Sequence, residues 1–363
     1  MKYAVPLLMA APAEETYINL VFTAGLVAKT VAAAIERMVV VRCRLERTAL
    51  VQGIVRYTTS CPPKSRAWRG MVLVLMAFVF WSLFIPGVIL YLRLVEGMPF
   101  ERHIVFLANT LVPTVCMSLS DCAFAAVLAA CVFLAEDVAE DAEREMAGLS
   151  GATTLADLDK ARAVRALRTR QQRLHDVVLA CNQAHGASNL CWLSLVVLES
   201  CVFLFFGMAY IRDKLSGHKG RDGSGGAIGL LWGCALIIRF IANCILGQRL
   251  CHNHGRISEV LQGLLAVNPC ISNDTIKEVR GFFHQVLVQD NRCGVFDLLY
   301  FDLKTMTAVI GSFTTFLVIL FQFESDVSTP QAKATRHLVT DYTQFLALWR
   351  PNRTFWLEEI SLR

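Results

Sequence analysis

Six long apolar runs alternate with polar stretches along the 363-residue chain. They are Tyr17–Ala34, Met71–Leu92, Ile104–Leu134, Asn189–Tyr210, Ala227–Gly247 and Thr305–Phe323, labelled spans A to F. Each is close to or beyond the roughly 20 residues an α-helix needs to cross a bilayer core. Span A is the weakest, since it is alanine-rich and contains Lys29. Between the runs the period changes to that of amphipathic helices. Ile257, Val260, Leu261, Leu264 and Leu265 share one helical face. After the turn at Asn268-Pro269, Asn273 is positioned to cap a second helix, with Ile276, Val279, Phe283, Val286 and Leu287 on one side. An acidic run from Glu136 to Glu145 leads into a helix with Leu167, Leu174, Val178 and Cys181 aligned, which continues into span D. Amphipathic helices outside a membrane must pack on something. The pattern therefore predicts an all-α, polytopic membrane helix bundle that also carries a helical bundle beyond the membrane.

Composition agrees. Hydrophobic residues make up 55% and charged residues 18%, on the membrane side of the soluble norm. Thirteen cysteines at scattered spacings form no disulfide framework. Met1–Ala13 has too short an apolar core for a signal peptide and reads as a loop. Gly217–Gly226 reads as a glycine-rich outer loop; it lacks the Gly-Lys-Ser/Thr of a phosphate loop.

Charge sets the orientation. The loops between A and B, C and D, and E and F hold eight, seven and six Lys/Arg, against two and four for B–C and D–E. By the positive-inside rule the first three loops are cytoplasmic and both ends of the six-span unit face outward. A further span upstream would start the chain in the cytoplasm, giving seven spans with an extracellular C-terminus, opposite to a G-protein-coupled receptor.

Signals for enzyme chemistry are nearly absent. There is no HExxH, GxSxG or paired metal-ligand spacing, so no metal or cofactor is expected. Cys251-His252-Asn253-His254 is a cysteine–histidine cluster, but neighbouring side chains on a helix diverge. Ionisable residues within spans are candidates by cost alone, at least ~2.5–3.5 kcal/mol for a charge in lipid. Asp121, Glu199 and Arg239 qualify. The depths of Glu199 and Arg239 in antiparallel spans D and E agree within about 3 Å, which predicts a pair near the midplane. Such a pair either locks two helices or serves ligand or ion binding. Asp121 has no evident partner and is assigned to a polar cavity. In span F, Thr307, Thr314, Thr315 and Gln322 fall near one face. An interfacial glutamine can simply reach water; several copies of such a stripe around an axis could line a pore, with Gln322 and Phe323 ringing its outer mouth.

The stretch Thr315-Phe-Leu-Val-Ile-Leu-Phe-Gln322-Phe323 resembles the last-helix signature of insect gustatory receptors, with Phe316 where the family has tyrosine. Asn291-Arg-Cys-Gly294-Val-Phe-Asp-Leu-Leu resembles the segment introducing that helix, and Leu174-His-Asp-Val-Val-Leu-Ala-Cys-Asn182 the stretch before the fifth. On this alignment spans A to F are helices two to seven of a seven-helix chemoreceptor fold without its first. The resemblance implies a tetrameric, ligand-gated, nonselective cation channel of the plasma membrane, homomeric or mixed, whose last helix lines the pore. It further implies a small-molecule tastant pocket among the other helices, open to the outside. Gln322 and Phe323 would form the constriction, and Thr315 and Phe316 would support the pore helix.

The expected organisation is thus 1–247 for membrane helices and pocket, 248–304 for a cytoplasmic anchor holding subunits together, 305–323 for the pore helix and 324–363 for a polar tail. The tail is longer than the family's and carries the sequon Asn352-Arg-Thr354. No nucleic-acid partner is implied. A secondary transporter with Asp121, Glu199 and Arg239 as a midplane relay, and a G-protein-coupled receptor, are the competing readings. Against them stand the lack of internal repeats, the basic loops, and the absence of Asn-Pro-x-x-Tyr from a late span.

Overall fold

A computed structural model of the chain describes residues 27, 30–60, 69–80, 84, 87–88, 112–149, 157–215, 223–267, 272–296 and 298–327. Span A before Thr30, apart from Val27, and the tail after Val327 lie outside them, as do most of span B beyond Phe80 and the start of span C. The described elements are α1 (Arg44–Ser60), α2 (Val112–Leu149), α3 (Asp157–Leu215), α4 (Gly223–Val267), α5 (Asn273–Val288), a hairpin of β1 (Gly294–Val295) with β2 (Leu299–Tyr300), and α6 (Leu303–Val327). Residues 30–42 and 69–80 are also helical. By contacts the chain forms two compact units, Thr23–Phe313 and a second made of Met1–Phe22 with Thr314–Arg363.

Among the described residues, Val115–Leu149, Asp159–Phe205 and Leu230–Ala266 are long and apolar enough to cross a membrane, and Arg69–Phe80 and Leu303–Ile319 are shorter apolar helices. The long ones exceed what a bilayer needs. The 59 residues of α3 span about 89 Å and the 45 of α4 about 68 Å, against a hydrocarbon core of about 30 Å. Spans and amphipathic extensions are therefore continuous helices. The acidic run Glu136–Glu145 extends α2, and the Ile257–Leu265 face extends α4.

Side-chain pairs give the directions. Val132 O accepts a bond from Asn253 Nδ2 at 3.4 Å, and Asp121 Oδ1 accepts one from Asn243 Nδ2 at 2.9 Å, so α2 and α4 run parallel. The Ser120–Ser188 contact at 3.2 Å and the Asp141–Arg170 pair at 2.6 Å make α3 antiparallel to α2. In the span region these helices share an apolar core that includes Phe124, Leu128, Trp192, Trp232 and Phe240, all buried.

A second core lies on the extensions. Val138, Ala142 and Met146 of α2, Val164 and Leu167 of α3, Ile257, Leu261 and Leu264 of α4, and Val279, Phe282 and Val286 of α5 are buried together. Its rim is ionic. Asp141 pairs with Arg170 at 2.6 Å, Glu143 with Arg256 at 2.7 Å and Glu278 with Arg165 at 2.5 Å. The acidic stretch of α2 is thus the complement of basic residues on its neighbours.

Three sequence expectations need correction. Ser272, not Asn273, caps α5, because its hydroxyl accepts from Thr275 N–H; Asn273 is the first helical residue. The buried face of α5 is Thr275, Val279, Phe282 and Val286, leaving Phe283 half-buried and Leu287 61% exposed. Gly223, Gly225 and Gly226, expected in an outer loop, begin α4, since the apolar run behind them propagates the helix.

Candidate ligand cavity and the foot of the last helix

The three charged residues expected in the spans do not pair as expected. Arg239 is ion-paired with Asp121, not with Glu199. Its Nη1 donates to Ser118 Oγ at 3.0 Å and its Nη2 to the Ser118 carbonyl at 3.2 Å. Asp121 also accepts from Asn243, one turn beyond Arg239 on α4. Asp121, Arg239, Ser118 and Asn243 are all buried, so the cluster satisfies a charge pair that would be prohibitive if split. Asp121, expected without a partner, sits at its centre. Glu199 instead accepts from the indole Nε1–H of Trp232 at 3.0 Å.

Next to this cluster lies a cavity bounded by α2, α3 and α4. Its walls include Met117, Ser118, Trp192, Glu199, Trp232 and Arg239. It is half open: the space that the centre of a water molecule can occupy is about 30 Å³, within about 320 Å³ of empty space that includes open solvent. The three charged candidates thus gather around one place, Glu199 and Arg239 on the wall and Asp121 behind it.

A polar knot joins the two internal motifs of the sequence. His175 Nδ1 is 2.8 Å from Asn291 Oδ1, Asn182 Nδ2 donates to the Arg292 carbonyl at 3.0 Å, and Gly294 N–H donates to Asn182 Oδ1 at 3.0 Å. His254 lies in the same knot, 3.2 Å from both Gln171 Nε2 and Asn291 Nδ2 and 3.0 Å from the Val286 carbonyl. Burial holds its imidazole below the usual histidine range, against the hydrogen bonds that favour the charged form. Arg292 grips Asp290 at 2.5 Å, which lowers the aspartate's pKa, and lies 3.9 Å over the Tyr300 ring. The cysteine–histidine cluster diverges as expected: His252 is exposed, Asn253 reaches α2 and His254 enters the knot. Among the described residues no group of three or more His, Cys, Asp or Glu could hold a metal ion.

This knot seats the last helix. The hairpin after Asn291 turns through Phe296, whose φ is 51°, and returns to Phe301. Phe301 is buried with its ring 5.1 Å from that of Phe124. Its carbonyl lies so close to Gly247 of α4 that a Cβ there would meet it at 1.9 Å. Asp302 then caps α6, accepting from Thr305 N–H at 2.7 Å.

Along α6 the hydroxyl and amide residues Thr307, Thr314, Thr315 and Gln322 are exposed, as are Gly311 and Ser312. Thr307 and Ser312 fold their hydroxyls onto the carbonyls of Leu303 and Ala308. Phe316, Val318 and Ile319 are also exposed, at 40%, 50% and 41%. Phe323 continues the helix; its side chain is outside the described ones.

A bundle with helices far longer than a bilayer needs, a buried charge cluster beside a cavity and an exposed terminal helix has the architecture of a polytopic helical membrane protein. The chain belongs to the 7tm chemosensory receptor family, whose profile matches residues 50–326. Its fold is similar to the structure of the insect olfactory receptor OR5 from Machilis hrabei, with a TM-score of 0.63, 11% identity, and coverage of 88% of this chain and 85% of that one. The same receptor in complex with eugenol gives a TM-score of 0.53 at 10% identity with the same coverage. Comparison with curated proteins gives no match.

Proposed function

We propose that the chain is a gustatory receptor subunit, a ligand-gated nonselective cation channel of the plasma membrane assembled as a tetramer. The observation that carries this is α6. A 25-residue apolar helix bears a stripe of exposed hydroxyl and amide groups on a single chain, alongside exposed apolar residues. Four copies around an axis would give the polar stripe water and the apolar faces lipid or neighbouring subunits. In that arrangement Gln322 and Phe323 form the constriction, while Thr315 and Phe316 support it. The gustatory assignment follows the Thr315 to Phe323 motif.

The cavity beside Glu199 and Arg239 is the tastant site, and the second core, with residues 248–304, is the cytoplasmic anchor. The C-terminus is extracellular. The knot of His175, Asn182, His254 and Asn291 links that anchor to the foot of the pore helix, a route by which helix movement around the cavity reaches α6.

The test is recording from cells that express the full chain. Ligand-evoked current reversing near zero is expected, and Gln322→Ala should change relative cation permeability while surface expression is kept. An unchanged permeability profile removes Gln322 from the conduction path. A secondary transporter, favoured by the buried Asp121–Arg239 pair, would instead give coupled flux without unitary conductance.

A further inference from the structure

We infer that the helix over residues 30–60 holds an anionic phospholipid of the inner leaflet, its acyl chains along Val31, Met38, Val41 and Leu45 and its phosphate between Arg42 and Arg44. This stands whether or not the chain conducts ions. It takes from the proposed orientation only that this end of the spans faces the cytoplasm, the side on which anionic lipids are held. Three observations carry it.

The first is the face. Helical bonding continues through Cys43, whose N–H donates to the Val39 carbonyl at 2.8 Å and whose carbonyl accepts from Arg47 N–H at 3.0 Å. Residues 30–60 therefore turn as one rod. Ala33, Glu36, Leu50 and Tyr57 are buried on the side that meets the bundle. On the opposite side Val31, Met38, Val41 and Leu45 stand 51%, 65%, 74% and 81% exposed, at helical spacing. Past Leu45 the same side reads Ala49, Gln52 and Arg56, all exposed. Val51 and Val55, exposed too, lie about a quarter to a third of a turn away. The outward face thus changes from apolar to polar at Leu45, well beyond the Ala34 that closes span A.

The second is the level. Arg47 Nε donates to the Ala184 carbonyl of α3 at 3.4 Å. In the antiparallel pair of α3 and α4, Glu199 meets Trp232 and Trp192 meets Phe240, a register that sets Ala184 opposite a residue near 248. Gly247, the last residue of span E, abuts the Phe301 carbonyl just ahead of α6. The end of span E, the foot of α6 and Arg47 therefore share one level. The outward face of the 30–60 helix changes character at that same level. A lipid slab imposes such a coincidence; a protein partner has no reason to stop there.

The third is charge. Arg42 and Arg44 are exposed on the two flanks of the stripe, and neither side chain makes a hydrogen bond or ion pair with a described residue. Arg37 is engaged by Cys116 Sγ at 2.9 Å and Arg47 by Ala184, while Glu46 is the one acid between residues 37 and 47. Arg42 and Arg44 lie within about 8 Å of the level of Arg47 at helical rise, a depth from which arginine side chains reach the headgroups. Guanidinium groups bind phosphate oxygens in pairs. A zwitterionic headgroup brings its own cation, which offsets that attraction, so the site prefers net negative lipids by about fivefold for each arginine.

The experiment places the purified full chain in lipid nanodiscs with a photoactivatable diazirine on the acyl chain of either phosphatidylserine or phosphatidylcholine, at equal mole fraction. Adducts are mapped by peptide mass spectrometry. Residues 31–45 should capture phosphatidylserine at least about fivefold over phosphatidylcholine. Arg42→Gln combined with Arg44→Gln should bring the two yields to parity there and leave adducts elsewhere on the chain unchanged. Equal yields in the wild type, or a preference that survives the double variant, overturns the inference. So does absence of lipid adducts from residues 31–45, with Met38→p-benzoylphenylalanine cross-linking to a second copy as the sign that protein covers this face. Both arginines are on the surface, and the wild-type comparison stands without the variant should it fail to fold. No current is measured, so failure of the channel reading and failure of the lipid site are told apart.

Discussion

The two cores of the larger unit are built from the same helices and solved differently. In the span region α2, α3 and α4 meet over aromatic and aliphatic side chains, with their charges drawn into one buried cluster beside a cavity. On the extensions the same helices, joined by α5, close over a smaller apolar core whose charges sit at the rim. Charge is thus internal in the span region and peripheral on the extensions. Under the proposed function the difference assigns tasks: the first core holds the cavity and responds to what fills it, whereas the second is a brace.

The largest expected effect comes from breaking the internal cluster. Asp121→Ala leaves Arg239 buried without its counter-ion, and removing one partner of such a pair costs about 3–5 kcal/mol. The thermal midpoint of the purified protein should fall steeply, and Arg239→Ala should act alike. Replacing both together, Asp121→Leu with Arg239→Met, should recover much of the loss. If the double variant is as unstable as the singles, the cluster is not an isolated electrostatic unit.

That cluster also marks the limit of what the sequence disclosed. By its apolar run alone, span C ends at Leu134. The Val132–Asn253 and Asp121–Asn243 contacts instead set Gly247, the end of span E, level with a residue near 126 on α2. About eight apolar residues of the run lie past the level where span E ends, roughly 12 Å at helical rise, and that offset hid the match between Asp121 and Arg239. The face of α5 was legible to within one residue. Phe282 and Phe283 both satisfy the period, and only packing against α3 and α4 chooses the former. Contact between the His175 and Asn291 motifs is a pairing 116 residues apart, which no local pattern encodes. The apolar faces of the extensions, by contrast, were plain, because Leu167, Leu174, Ile257, Leu261 and Leu264 repeat at helical spacing and are buried.

Next in size is the seat of α6. Gly247→Ala puts a methyl group against the backbone carbonyl of Phe301, which cannot turn aside as a side-chain tip can. Overpacking of this kind costs about 1–3 kcal/mol. The expected outcome is a protein that still reaches the surface with ligand binding retained and current lost or reduced. Normal current from Gly247→Ala would mean that the foot of α6 tolerates displacement, and the coupling route through the knot would be wrong.

Acid should affect the brace before the span core. His254 is held neutral by burial, with His175, Asp290, Asn291 and Gln171 as its surroundings. Its folded pKa lies below the unfolded value of about 6.5, so the unfolded chain binds the proton more readily in between. This contribution to stability is full above that value and is lost as pH falls from about 6.5 through the folded pKa. Protection of α5 and of the 289–293 segment against hydrogen exchange, measured relative to the intrinsic rate at each pH, should therefore fall as pH is lowered from 7.5 to 5.5. Replacing His254 with Gln, which cannot titrate, should flatten that dependence; an unchanged slope would place the titration elsewhere.

The smallest effect tests the idea that the rim charges brace without carrying the core. Glu143 and Arg256 pair at 2.7 Å with side chains 40% and 28% exposed, so water screens them. Pairs of this kind are worth about 0.2–1 kcal/mol. Glu143→Gln should lower the thermal midpoint by about 4 °C at most, by the usual conversion of about 2–4 °C per kcal/mol for larger domains, and added salt should shrink the difference between variant and wild type. Leu261→Ala on the same extension removes a fully buried side chain and should cost several times more, about 2–5 kcal/mol. If the two substitutions proved equal, the rim would be carrying the extension and the contrast between the cores would reduce to one of position. If Glu143→Gln is nearly silent while Leu261→Ala unfolds α5, the extension is an apolar bundle whose charges select its helix partners.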